Sequence, residues 1–199
     1  MGDVTDNLDQ RIAERIRGLR TAQALSLEAL SSKSGVSRSM ISLIERGESS
    51  PTAVVLEKLA VGLNVPLASL FDPVSTESLT REPVARRQAQ TEWKDPASGY
   101  VRRNVSPPGI SQPMQIVDVL FPAGQRVVFE SGMRDVCVYQ QIWVLEGSID
   151  ITVGDERHRL HEGDCLAMQV DRPTIFQNPT RKRARYAVVV ASDALTWRR

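Results

Sequence analysis

Apolar side chains recur at helical spacing from Leu8 to Phe71: Leu8, Ile12, Ile16 and Leu19, then Leu27 and Leu30, then Met40, Ile41 and Ile44, then Val55, Leu56, Leu59 and Leu63. Start signals stand where the helices should open, with Ser26 before Leu27, Ser37 before Arg38, and Pro51-Thr52 before the run to Leu63. Gly35, Gly47 and Asn64-Val65-Pro66 supply the stops. The pattern predicts four short helices and a fifth at Leu67–Phe71.

From Tyr100 onward the period shortens to that of strands. Candidates are Val101–Val105, Gln115–Phe121, Arg126–Phe129, Val136–Leu145, Ile149–Val153, His158–Leu160, Cys165–Gln169, Thr174–Gln177 and Tyr186–Val190. Turn residues separate them, among them Pro122-Ala123-Gly124, Glu146-Gly147, Gly154-Asp155 and Glu162-Gly163-Asp164. Short strands broken by regular turns indicate a sandwich or barrel. Asp72–Gly99 has no sustained period and reads as a linker, part of which could add an edge strand. The expected fold class is therefore two-domain α + β: an all-α unit over 1–71, a linker over 72–99, and an all-β unit over 100–199.

Composition and charge remove several alternatives. A formal net charge of +1 argues against a polycation that coats nucleic acid indiscriminately. Two cysteines, Cys137 and Cys165, are too few for a disulfide scaffold or a Cys-rich zinc module and suit a reducing compartment. Apolar runs such as 187–191 fall far short of the ~18–20 residues a membrane span needs. Asp3, Asp6, Asp9, Arg11 and Glu14 occupy the place of a secretory signal's apolar core, so a soluble cytoplasmic protein is expected.

The segment from Leu25 to Gly47, and above all Gly35-Val36-Ser37-Arg38-Ser39-Met40-Ile41-Ser42-Leu43-Ile44-Glu45-Arg46-Gly47, closely resembles the helix-turn-helix of the lambda-repressor-like XRE regulators. The resemblance spans roughly Leu8 to Phe71 and implies sequence-specific binding to double-stranded DNA. The second helix of such a unit lies in the major groove with its N-terminal side chains toward base edges. That assigns Ser37, Arg38, Ser39, Ser42, Leu43 and Arg46 to the DNA face. Arg38 suits either bidentate contact with guanine O6 and N7 or a phosphate clamp. Ser37 suits an N-cap better than a base contact, and Leu43 offers only apolar contact. The resemblance also implies an ion pair between Arg20 and Glu45. Residues 1–71 carry eight basic and eight acidic side chains, so one copy should grip phosphates weakly. Two copies on one palindromic operator would compensate, which makes a homodimer the expectation.

In the second half, Trp143-Val144-Leu145-Glu146-Gly147, Leu160-His161-Glu162-Gly163-Asp164 and Pro173-Thr174-Ile175-Phe176-Gln177-Asn178 resemble the turns of the cupins, small double-stranded β-helix barrels. Many cupins hold a metal with three histidines and a glutamate; the corresponding positions here are Arg134, Val136, Gln140 and Thr174. None is a ligand that a divalent ion favours, so neither a metal nor another cofactor is expected. His158 and His161, the two histidines of the chain, lie away from that set. A barrel interior of this size holds one small ligand or is filled by side chains. The candidate ligand residues are Arg134, Gln140, Trp143, Thr174 and Phe176, with Arg134 pointing to an anion and plain core as the competing reading of the aromatics. Cys137 and Cys165 read either as small packed hydrophobes or as an interior redox pair.

The sequence thus supports a DNA-binding transcriptional regulator without catalytic residues, whose barrel joins two subunits and senses a small-molecule effector. A DNA-binding head on a cupin enzyme, a barrel that only dimerises, and an antitoxin-like partner protein are the alternatives.

Overall fold

The computed structural model describes residues 4–72, 82–108, 114–130 and 137–192. Four helices come first: α1 (Val4–Ala22), α2 (Leu27–Ser34), α3 (Arg38–Glu45) and α4 (Ala53–Gly62). A 3-10 helix at Leu67–Phe71 takes the place of the expected fifth helix. The Ser26 and Ser37 side chains and the Thr52 hydroxyl accept from the backbone N–H three residues on, at Ala29, Met40 and Val55, so three of the four starts are capped. Gly35 closes α2 at φ 68°, a conformation that a side chain would strain. Ile12, Ile16, Leu30, Ile41, Ile44, Leu56, Leu59, Leu63 and Leu70 are fully buried between the helices, and each such side chain contributes roughly 1.5–3 kcal/mol.

Ten strands follow: β1 (Glu92–Lys94), β2 (Val101–Asn104), β3 (Met114–Phe121), β4 (Arg126–Phe129), β5 (Val138–Glu146), β6 (Ser148–Val153), β7 (Glu156–His161), β8 (Cys165–Gln169), β9 (Thr174–Gln177) and β10 (Ala184–Ser192). They form two antiparallel sheets, in the orders β1-β2-β3-β10-β5-β8 and β4-β9-β6-β7. The cupin-like barrel is realised as these two sheets. Among the described residues no ladder closes them into one continuous wall. The β5–β6 turn depends on Gly147, whose φ of 78° is left-handed and whose missing Cβ would stand 2.9 Å from the Arg183 carbonyl oxygen.

Within the stretch expected as a linker, Glu92–Lys94 pairs with β2 as an edge strand and buries Trp93. Helices and sheets share one continuous apolar core. Phe71 meets Trp93 at 5.6 Å, Trp93 meets Tyr100 at 5.9 Å, and Tyr100 stacks on Phe121 at 5.8 Å. The series runs on through Tyr186 and Phe176 to Phe129. Polar contacts reinforce the junction. Asp95 accepts from the Ala53 N–H at 2.9 Å, occupying an otherwise free donor at the start of α4. Lys58 lies 2.8 Å from Glu130.

Candidate functional site

The face expected to read DNA is built on α3. Burial of Ile41 and Ile44 against the helical core turns the opposite face outward, leaving Ser37, Arg38 and Ser39 exposed and Ser42 and Leu43 half-buried. Ser37 is used as the N-cap, with its hydroxyl 3.3 Å from the Met40 nitrogen and 3.2 Å from the Ser39 hydroxyl. Arg38 has no hydrogen bond or ion pair among the described residues, which leaves its guanidinium available to a partner. Arg46 is differently placed. Its Nε and Nη2 donate to Glu48 at 2.8 and 2.7 Å, and Nη1 donates to the Ser42 hydroxyl at 2.7 Å. Contact with a phosphate by Arg46 therefore competes with Glu48.

The Arg20–Glu45 pair fixes α3 against α1. Arg20 Nε and Nη2 donate to the two Glu45 oxygens at 2.7 and 2.8 Å, while Nη1 donates to the Leu25 carbonyl at 2.8 Å. The hydrogen bonds to Glu45 raise the Arg20 pKa despite the opposing effect of burial. The fork geometry makes the pair specific to arginine.

The second candidate site is a cavity of about 80 Å³ between the sheets. Val119, Phe121, Phe129, Phe176, Tyr186 and Val188 supply apolar wall, and Tyr100, Arg102, Gln140 and Thr174 supply polar groups. Glu57 of α4 and Pro66, Leu67 and Ala68 before and in the 3-10 helix complete it. Of the five sequence candidates, Gln140, Thr174 and Phe176 meet here. Trp143 does not. Side chains alternate along β5, Val138, Ile142 and Val144 point inward, and Trp143 on the outer face is 52% exposed. Arg134 and Val136 lie outside the described residues. Cys137 and Cys165 are both exposed, which removes the interior redox pair.

Neither Gln140 nor Thr174 is a favoured ligand of a divalent ion, and the Thr174 hydroxyl already donates to the Arg172 carbonyl at 3.2 Å. The cavity residues do not fit the metal that many cupins carry.

Arg102 escaped the sequence reading. A strand that places two arginines side by side, Arg102-Arg103, must send them to opposite faces, and that was the available signal. Arg103 pairs with Asp118, which also receives Arg185 Nε at 2.9 Å. Arg102 enters the cavity wall and packs over the Phe71 ring at 5.1 Å.

An α3 face of this geometry, carried on four packed helices and joined to two cupin-like sheets, defines a transcriptional regulator with a helix-turn-helix DNA-binding domain. Residues 16–70 match the HTH_3 family, described as Helix-turn-helix. The chain is similar to the HTH-type transcriptional regulator SutR of Escherichia coli (strain K12), at 25% identity over 87% of this chain and 90% of the relative. It is also similar to an HTH_3 family transcriptional regulator from Vibrio cholerae of known structure. There the identity is 26%, the TM-score 0.73, and the match covers 94% of this chain and 98% of that one. A weaker likeness, at 18% identity and TM-score 0.45, is to the hydroxypropylphosphonic acid epoxidase from S. wedmorenis, covering 94% of this chain and 100% of the enzyme. That likeness carries no argument about activity. Among the described residues no helix is long and apolar enough to cross a membrane.

Proposed function

We propose that the chain is a homodimeric regulator that binds a palindromic operator through α3 and whose inter-sheet cavity senses a small molecule. The observation carrying this reading is that the cavity walls come from both halves of the chain: Glu57, Pro66, Leu67 and Ala68 belong to the helical half, and the remainder to the sheets and their loops. A ligand there touches the DNA-binding unit directly. Its binding energy therefore depends on how that unit sits, and such a difference between states is the requirement for switching. The helical unit on this reading ends near Phe71, with the sheets and their edge strand forming the sensory and dimerising part. The barrel acts as a receptor and not as a catalyst, because its donor set suits hydrogen bonding to a ligand and not a metal.

The outer face of the six-stranded sheet supports the homodimer. Register places Met114, Ala191, Tyr139 and Gln169 on one rung, Ile116, Val189, Gln141 and Ala167 on the next, and Asp118, Ala187, Trp143 and Cys165 on a third. Met114, Ile116, Tyr139 and Trp143 are exposed on it, a contiguous apolar surface of the kind that marks association. A second copy is the fitting occupant because the helical unit is electrically neutral and a palindrome requires two heads.

Selection from a random duplex library with the full chain, followed by binding curves at several salt concentrations, tests the DNA half. The expected product is a palindrome with half-sites about one helical turn apart, whose affinity falls as salt rises. A small-molecule panel scored by both melting midpoint and operator release tests the sensing half. A full panel that moves neither quantity would reduce the barrel to a dimerisation module.

A further inference from the structure

We propose that the cavity's ligand is a small, singly charged oxyanion, a short-chain carboxylate or its sulfonate counterpart, held by the Nε–H and Nη2–H edge of Arg102. The proposal rests on the sensing role above and names the chemistry of the same site. Arg102 lines the cavity and is only 9% exposed, yet Nε and Nη2 are buried without a hydrogen-bond acceptor. These two nitrogens form one edge of the guanidinium. The same edge of Arg20 clasps both oxygens of Glu45. A buried guanidinium with that edge unmade carries a large desolvation cost that a planar or tetrahedral oxyanion would offset through two parallel, charge-assisted bonds.

The surroundings narrow the ligand further. Desolvation lowers the Arg102 pKa, and the nearby negative charges of Glu57 and Asp72 favour its charged form without accepting from Nε or Nη2. Burial raises the pKa values of Tyr100 and Tyr186, so both keep their hydroxyl protons at neutral pH and are available as donors. Glu57 in the same wall disfavours a second negative charge on the ligand. A volume of about 80 Å³ corresponds to roughly three waters at about 30 Å³ each, and the wall between Phe129, Phe176 and Val188 is apolar, so the tail is short and aliphatic.

Titration calorimetry and melting of the full chain with propionate, butyrate and methanesulfonate, against propionamide, propylamine and octanoate, test the assignment. The short acids should bind and raise the midpoint, while the amide, the amine and the over-long acid should not. Arg102→Met should weaken the acids about a hundredfold, and Arg102→Lys should recover only part, lacking the paired donors. The unliganded Arg102→Met protein should melt no lower than wild type, since a buried charge with unmade bonds has been removed. A lower midpoint would instead make Arg102 a structural strut and overturn the proposal, as would acid binding unaffected by Arg102→Met. An amide or amine that shifts both melt and operator release overturns the anion and leaves sensing intact. Silence from acids, amide and amine alike overturns the anion, and only the broader panel's silence would also end sensing.

Discussion

Replacing Glu45 by alanine probes the contact that orients the recognition helix. The carboxylate is 7% exposed and its partner Arg20 14% exposed, so both charges have largely left water. Removing one member of a buried pair costs about 3–5 kcal/mol, because the survivor stays buried without its counter-charge. Arg20 keeps its bond to the Leu25 carbonyl and some access to solvent, which places the loss near the lower end, about 3 kcal/mol. For a chain of this length 1 kcal/mol moves the melting midpoint by about 2–4 °C, so a fall of about 6–12 °C is expected by differential scanning calorimetry. The double variant Arg20→Met with Glu45→Ala should melt no lower than Glu45→Ala alone, since it removes the stranded charge as well. A midpoint for Glu45→Ala within about 1 °C of wild type would refute the reasoning. It would mean that α3 is seated by Ile41 and Ile44 packing alone.

Three further perturbations address the remaining contacts. For Asp118, burial alone would raise the pKa, but hydrogen bonds from Arg185 and Arg103 outweigh it and hold the value below the ordinary range. A carboxyl depressed in the fold stabilises above its unfolded pKa of about 3.9, and that contribution is lost as pH falls through the folded value. Asp118→Asn should accordingly lower the urea midpoint at pH 7 and lose less between pH 7 and pH 3 than wild type does; parallel losses would dissociate Asp118 from acid stability. Arg38→Ala should cost about 1–3 kcal/mol at a single operator position if the side chain grips guanine, or weaken all sequences alike and reduce the salt slope by about one if it grips phosphate. Unchanged anisotropy curves on every duplex would remove Arg38 from the interface. Trp143→Asp should convert the dimer to monomer in light-scattering chromatography and weaken operator binding with it, whereas an unaltered mass would exclude this sheet face as the interface.

The helices were legible because three are capped locally and each buries an apolar stripe: the N-cap signals at Ser26, Ser37 and Thr52 and the apolar spacing are written in short windows. Strands were legible for the same reason, with turn glycines such as Gly147 bounding alternating runs. What stayed hidden depends on which way a strand faces. Trp143 and Phe176 are both aromatics in cupin-like segments, yet one lies on the outer face and the other in the cavity, a difference of one-residue parity that composition does not carry. Arg102 shows the converse. Its inward side chain places a charge where average preference predicts none; the Arg102-Arg103 pair signals that one of the two faces inward, and the packing of Arg102 over Phe71 and beside the cavity shows which. The edge strand at Glu92–Lys94 was similarly faint, since three residues are too few to display a period.

The two-site arrangement sets a quantitative limit on any switch. Moving a population from 1:99 to 99:1 takes about 5.5 kcal/mol of differential binding. A ligand the size of butyrate, about six heavy atoms, has at most about 9 kcal/mol in total, at the ceiling of roughly 1.5 kcal/mol per atom. One cavity would have to spend most of that on discrimination, and little affinity would remain. Two cavities in a symmetric dimer halve the demand to about 2.7 kcal/mol each, or about a hundredfold preference per site. The path available for that preference runs from the cavity wall at Glu57 and Ala68, through Arg15 bonded to the Ser69 carbonyl at 3.0 Å, along α1 to Arg20 and Glu45 at the end of α3. Linkage makes the requirement reciprocal: operator DNA must change the ligand's affinity per site by the same factor of about a hundred. Calorimetric titration of the dimer with and without operator measures it directly, and equal affinities in the two titrations would sever the cavity from the DNA face however tightly either partner binds.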